Sequence, residues 1–124
     1  MKLRILLADD HEPFRLRLRE LLRNNPDFEL VGEAENGEEA VRLAAELKPD
    51  IIIMDVVMPR LNGLEATRLI ISEFPSIKVI ALTLHGDSGF RRAMLDAGAS
   101  TYLLKDNVVH ELPGVLRSVA AGAA

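Results

Sequence analysis

The 124-residue sequence contains no cysteine. That excludes a disulfide framework, a cysteine zinc site and a thiol nucleophile. It has no excess of positive charge: 15 Lys and Arg stand against 19 Asp and Glu, for a net charge of −4. A nucleic-acid-binding surface on this chain is therefore not expected. Long apolar runs are also missing. Leu3–Ala8 follows Met1-Lys2 as the start of a signal peptide would, but Asp9-Asp10 ends it after six residues. That is too short for a secretory core or a membrane span, so a cytoplasmic chain is expected. Internal repeats, linkers and low-complexity tracts are lacking too. What is present is 48% hydrophobic and 27% charged residues, the composition of one folded domain over residues 1–124.

The apolar pattern alternates between two periods. Leu3–Ala8 reads as a first, central strand. Pro13 suits a first helical turn, with Asp10 or His11 near the cap, and Phe14, Leu18, Leu21 and Leu22 form one helical stripe. Phe28–Ala34 alternates as an edge strand would. Asn36-Gly37 opens a second helix with Ala40, Val41, Ala44 and Leu47 inward. Ile51-Ile52-Ile53-Met54 is a β-branched run that reads as a strand buried on both faces. Asn62-Gly63 precedes a helix carrying Leu64, Ala66, Ile70, Ile71 and Phe74. Ile77–Leu82 is a fourth strand, a helix follows from about Phe90 to Ala97, and Thr101–Leu104 is a fifth strand. Val108, Leu112, Val115, Leu116 and Val119 give a last stripe. Pro113 inside that stripe predicts a late start near Val109 or His110, with the proline in or just beyond the first turn; the alternative is a kink. Five strands alternating with five helices imply a doubly wound parallel α/β sheet. Five strands fit the order 2-1-3-4-5 better than the six-stranded nucleotide-binding order.

That order gives the strand ends a chemical meaning. Asp9-Asp10, Asp55, Thr83 and Lys105 end strands 1, 3, 4 and 5. They fall on the carboxyl rim around the switch point, where ligands of such sheets bind. Taken singly, the acidic pair is a helix cap, the threonine a strand-end hydroxyl and the lysine a solvated surface charge. Together they are a site. Three clustered carboxylates repel unless a cation lies among them, and Mg²⁺ accepts an all-oxygen donor set. A carboxylate flanked by a divalent ion, a lysine and a hydroxyl is prepared to accept a phosphoryl group, which makes Asp55 the candidate nucleophile.

These residues resemble the receiver domains of bacterial two-component response regulators, and the resemblance covers essentially the whole chain. Asp9-Asp10 is similar to the family's acidic pair, and Asp55-Val56-Val57-Met58-Pro59 with Gly63 to its phosphoacceptor loop. Thr83 is similar to the switch threonine, Tyr102 to the switch aromatic and Lys105 to the active-site lysine. The wording around Asp9-Asp10-His11, Leu82-Thr83-Leu84-His85 and Gly98 to Asp106 resembles the NarL/FixJ subgroup. The resemblance implies the flavodoxin-like three-layer sandwich and phosphorylation of Asp55 by a histidine kinase. It implies Mg²⁺ held by Asp10, Asp55 and the Val57 backbone carbonyl, and by Asp9 through water. Lys105 would pair with a phosphoryl oxygen. Thr83 and Tyr102 would move together, switching the surface of the fourth helix, fifth strand and last helix. Partners implied are the kinase, a second copy on phosphorylation and a covalently linked DNA-binding domain that this chain lacks.

Asp106 follows Lys105 where many receivers have a proline, so a trans peptide and a shifted loop are expected. Leu84 is bulkier than the small residue usual there and is expected to narrow access to Asp55. His85 is a candidate for tuning phosphate lifetime. Two other readings share these residues: a stand-alone receiver that acts by docking, and a Mg²⁺-dependent phosphohydrolase with an aspartate nucleophile. The second wants another aspartate two residues on, and position 57 is valine.

Overall fold

The computed structural model describes residues 2–84 and 88–122; His85 lies outside them. The elements run β1 (Leu3–Ala8), α1 (Glu12–Arg23), β2 (Phe28–Ala34), α2 (Gly37–Leu47), β3 (Ile51–Asp55), α3 (Gly63–Glu73), β4 (Lys78–Thr83), α4 (Ser88–Asp96), β5 (Thr101–Leu104) and α5 (Val108–Ala120). All strand pairs are parallel, in the order β2-β1-β3-β4-β5, as the sequence predicts.

Alternation along each strand builds two cores, because successive side chains point to opposite faces. Ile5, Leu7, Ile51, Ile53, Ile80 and Leu82 meet Phe14, Leu18 and Leu22 of α1 and Leu112 and Leu116 of α5. Leu6, Ile52, Met54, Val79 and Ala81 face the other way, onto Ala40 and Ala44 of α2, Ala66 and Ile70 of α3 and Met94 of α4. The sheet is thus the middle of three layers. Asn36 and Asn62 cap α2 and α3, each side chain accepting from the amide three residues on.

Some boundaries differ from expectation. α4 opens at Ser88 and ends at Asp96, slightly ahead of the Phe90–Ala97 span. α5 starts at Val108, not Val109 or His110, because a 3₁₀ turn over Lys105–Asn107 turns the chain first. Pro113 lies inside α5, in its second turn. No cis peptide occurs among the described residues, so the Lys105-Asp106 bond is trans as expected.

Candidate phosphoacceptor site

Register brings the strand ends together. Ala8 pairs with Met54, which sets Asp9 level with Asp55. Asp55 pairs with Leu82, so Thr83 stands one step beyond it. Thr83 pairs with Leu104, which carries Lys105 one step further. Gly63 lies beneath this rim. A Cβ there would sit 1.8 Å from the Asp55 carbonyl oxygen, and the Gly63 amide donates to the Val56 carbonyl at 2.9 Å. A side chain at position 63 would push β3 away from α3.

Carboxylate oxygens of Asp9, Asp10 and Asp55 all lie within 4.8 Å of one another. Asp9 and Asp55 are buried while Asp10 is exposed. The Lys105 ammonium is 2.6 Å from Asp9 Oδ2 and 3.4 Å from Asp55 Oδ2. It also lies 4.6 Å from the centre of the Phe14 ring, a cation–π distance. Burial first, then the charge of Asp9, pushes the Asp55 carboxyl up to about 6; the Lys105 charge and the Val57 amide oppose that rise. That amide donates to Asp55 Oδ1 at 3.3 Å.

The donor set suits a hard divalent cation. Asp9 Oδ1 accepts the His11 amide at 2.8 Å, but buried Asp9 Oδ2 receives no aligned hydrogen bond even with the lysine charge beside it. An acceptor oxygen in that state, next to two further carboxylates, is the oxygen-rich environment Mg²⁺ prefers. Among the described residues this is the one group of acidic or histidine side chains arranged to hold a metal.

A cavity of about 670 Å³ opens over these groups, lined by Asp10, Asp55, Thr83 and Lys105 together with the apolar Phe14, Val57, Leu84 and Phe90. Leu84 is 63% exposed; it forms a wall of the cavity and does not seal Asp55 off. Tyr102 lies away from this opening, half-buried against the α3–α4 side of the sheet, with the Arg91 guanidinium 4.5 Å from its ring centre.

Sequence reasoning missed three features. It did not find the proximity of Lys105 to Asp9, closer than to Asp55, nor the Phe14 ring beneath that lysine. Nor did it find that Arg15 is buried and donates to the Asp9 backbone carbonyl. Arg15 falls off the apolar stripe of α1, and no periodicity signals a buried guanidinium.

Comparison with known proteins agrees with this geometry. The family model of the response regulator receiver domain matches residues 5–117. Among curated proteins, the transcriptional regulatory protein DegU of Brevibacillus brevis is 42% identical, over 99% of this chain and 52% of its own length. The transcriptional regulatory protein LiaR of Bacillus subtilis (strain 168) is 43% identical, over 97% of this chain and 57% of its own. The chain therefore spans about half the length of these relatives. A solved LuxR-family two-component response regulator from Aurantimonas sp. SI85-9A1 superposes with a TM-score of 0.93 at 36% identity, over 98% of this chain and 87% of that one. No helix among the described residues is long and apolar enough to cross a membrane. On sequence and fold alike, the chain belongs to the response regulator receiver domains, and its relatives are transcriptional regulators of two-component systems.

Proposed function

We propose that the domain is a phosphorylation switch whose acceptor is Asp55, charged by a histidine kinase. The observation that carries this is a carboxylate at the end of a central strand, 3.4 Å from a lysine ammonium, beside two further carboxylates and open to a cavity. An ionised Asp55 oxygen attacks the phosphorus of the donor. The new O–P bond forms as the N–P bond of the phosphohistidine breaks, and the imidazole leaves with the electron pair and takes up a proton. Asp10, Asp55, the Val57 carbonyl and, through water, Asp9 would hold Mg²⁺. When bound, that ion neutralises charge on the transferring group.

Lys105 exchanges its Asp55 contact for a phosphoryl oxygen. The Thr83 hydroxyl donates to another, and Tyr102 rotates into the space so vacated. The α4-β5-α5 surface then changes its contacts, with a second copy or with a covalently linked DNA-binding output domain. The names of the relatives and their roughly doubled length support the output domain; this chain itself carries no nucleic-acid-binding role. Its chemistry is confined to its own phosphorylation and dephosphorylation, in the cytoplasm. Val57, 66% exposed, offers no carboxyl where an aspartate-nucleophile phosphohydrolase needs a general acid.

The test is intact mass after incubation with acetyl phosphate, with and without Mg²⁺, for wild type and Asp55→Ala. The expected result is a single Mg²⁺-dependent phosphate adduct that the variant lacks. An adduct retained by Asp55→Ala, or formed equally well without Mg²⁺, would overturn the assignment.

A further inference from the structure

Every polar atom of Asp9 except Oδ2 has an aligned hydrogen-bond partner, and Oδ2 faces the Lys105 ammonium at 2.6 Å. Its amide donates to the Ala34 carbonyl at 3.0 Å, and its Oδ1 accepts the His11 amide. Its backbone carbonyl, inside the protein, accepts from Arg15 Nη1. Oδ2 is left facing Lys105 and Asp55. The guanidinium is itself fixed, with Nε 3.1 Å from Glu33 Oε1 and Nη2 3.4 Å from Glu35 Oε1. Glu33 is braced in turn by Arg19 Nε at 2.7 Å. A forked, buried cation carried by α1 and anchored on β2 therefore reaches the peptide that carries the acidic pair.

We propose that Arg15 is a positioning residue for the cation site: its grip on the Asp9 carbonyl holds the Asp9-Asp10 peptide so that both carboxylates face Asp55. This rests on the phosphoacceptor reading of that site. Partners that orient metal ligands typically contribute ten- to a hundredfold in metal affinity. The proposal also has a distinctive sign. Deleting a nearby positive charge tightens cation binding if charge alone matters, whereas loss of positioning weakens it.

The experiment titrates Mn²⁺ into the intact chain, with free Mn²⁺ counted by electron paramagnetic resonance, for wild type, Arg15→Met, Arg15→Lys and Asp10→Asn. Metal-free melting is followed alongside. We expect Arg15→Met to raise the Mn²⁺ Kd about tenfold, with Arg15→Lys intermediate at about threefold, since lysine keeps the charge but not the fork. An unchanged or lowered Kd in Arg15→Met overturns the proposal, even with a lower melting temperature, because that is the signature of a purely structural arginine. Where Arg15→Met does not fold, Arg15→Lys decides, and wild-type affinity there overturns it equally. Asp10→Asn separates the two readings. If it binds Mn²⁺ as wild type does, or wild type binds none, the metal-site reading fails and this inference with it. If Asp10→Asn loses binding while both Arg15 variants keep it, this inference fails alone.

Discussion

Asp55 is costly to the fold that displays it. Its side chain is 9% exposed and its carboxyl titrates near 6, against an ordinary 3.8. Between those values the folded chain binds more protons than the unfolded one, so stability falls as pH rises through about 4 to 6. The cost is fully present at pH 7 in metal-free protein and absent below pH 4. Asp55→Asn is therefore expected to stabilise metal-free protein at pH 7 by about 1–3 kcal/mol, the lower part of that range allowing for solvent at the rim. Urea unfolding at pH 7 and pH 4 checks this. No gain at pH 7, or the same gain at pH 4, would contradict the burial account. The identities of Asp9, Asp10, Asp55, Thr83 and Lys105 were legible because each ends an apolar run. The lysine's preference for Asp9, and the Phe14 and Arg15 contacts, were not. They depend on how long side chains cross between layers, which spacing along the chain does not encode.

The last helix shows what pattern does and does not settle for an element. The stripe from Val108 to Val119 identified the buried face correctly: Val108, Leu112, Leu116 and Val119 are all buried. The start was misplaced because weight was given to Pro113, while the chain instead makes a 3₁₀ turn at Lys105–Asn107 and begins the helix before the proline. Pro113 consequently denies the Val109 carbonyl its helical partner. A proline in a helix interior costs about 3 kcal/mol, and its stiffening of the unfolded chain returns up to about 1 kcal/mol. Pro113→Ala should therefore raise stability by about 2 kcal/mol, seen as a higher urea midpoint with an unchanged slope. A lower midpoint would mean that the proline ring packs favourably in a way the helix geometry does not reveal. The boundaries of β1, β2 and β5 matched expectation residue for residue, since charged or turn-forming residues bracket each run.

For the molecule as a whole, strand order followed from strand count, and order together with register assembled the rim. What the sequence could not supply was the depth of the site: which carboxylates are buried and how large an opening lies above them. The cluster fits a cation that binds the folded chain alone, so Mg²⁺ should raise the melting temperature. At a hundredfold excess over Kd the gain is about 2.7 kcal/mol, and Asp10→Asn should abolish it. Calorimetry with and without Mg²⁺ measures this directly; an equal shift in the variant would locate the ion elsewhere.

Lys105 comes from β5's end and Asp9 from β1's, nearly the full chain apart, yet their charges lie 2.6 Å from each other. A chain cut between residues 55 and 105 keeps all three carboxylates but loses the ammonium that pairs with Asp9 and Asp55. Such fragments carry three crowded negative groups without the lysine that the proposed function assigns to a phosphoryl oxygen. If Asp55 accepts phosphate as proposed, damaged or half-made copies are silent, and a signal reports on the integrity of its carrier as well as on the stimulus.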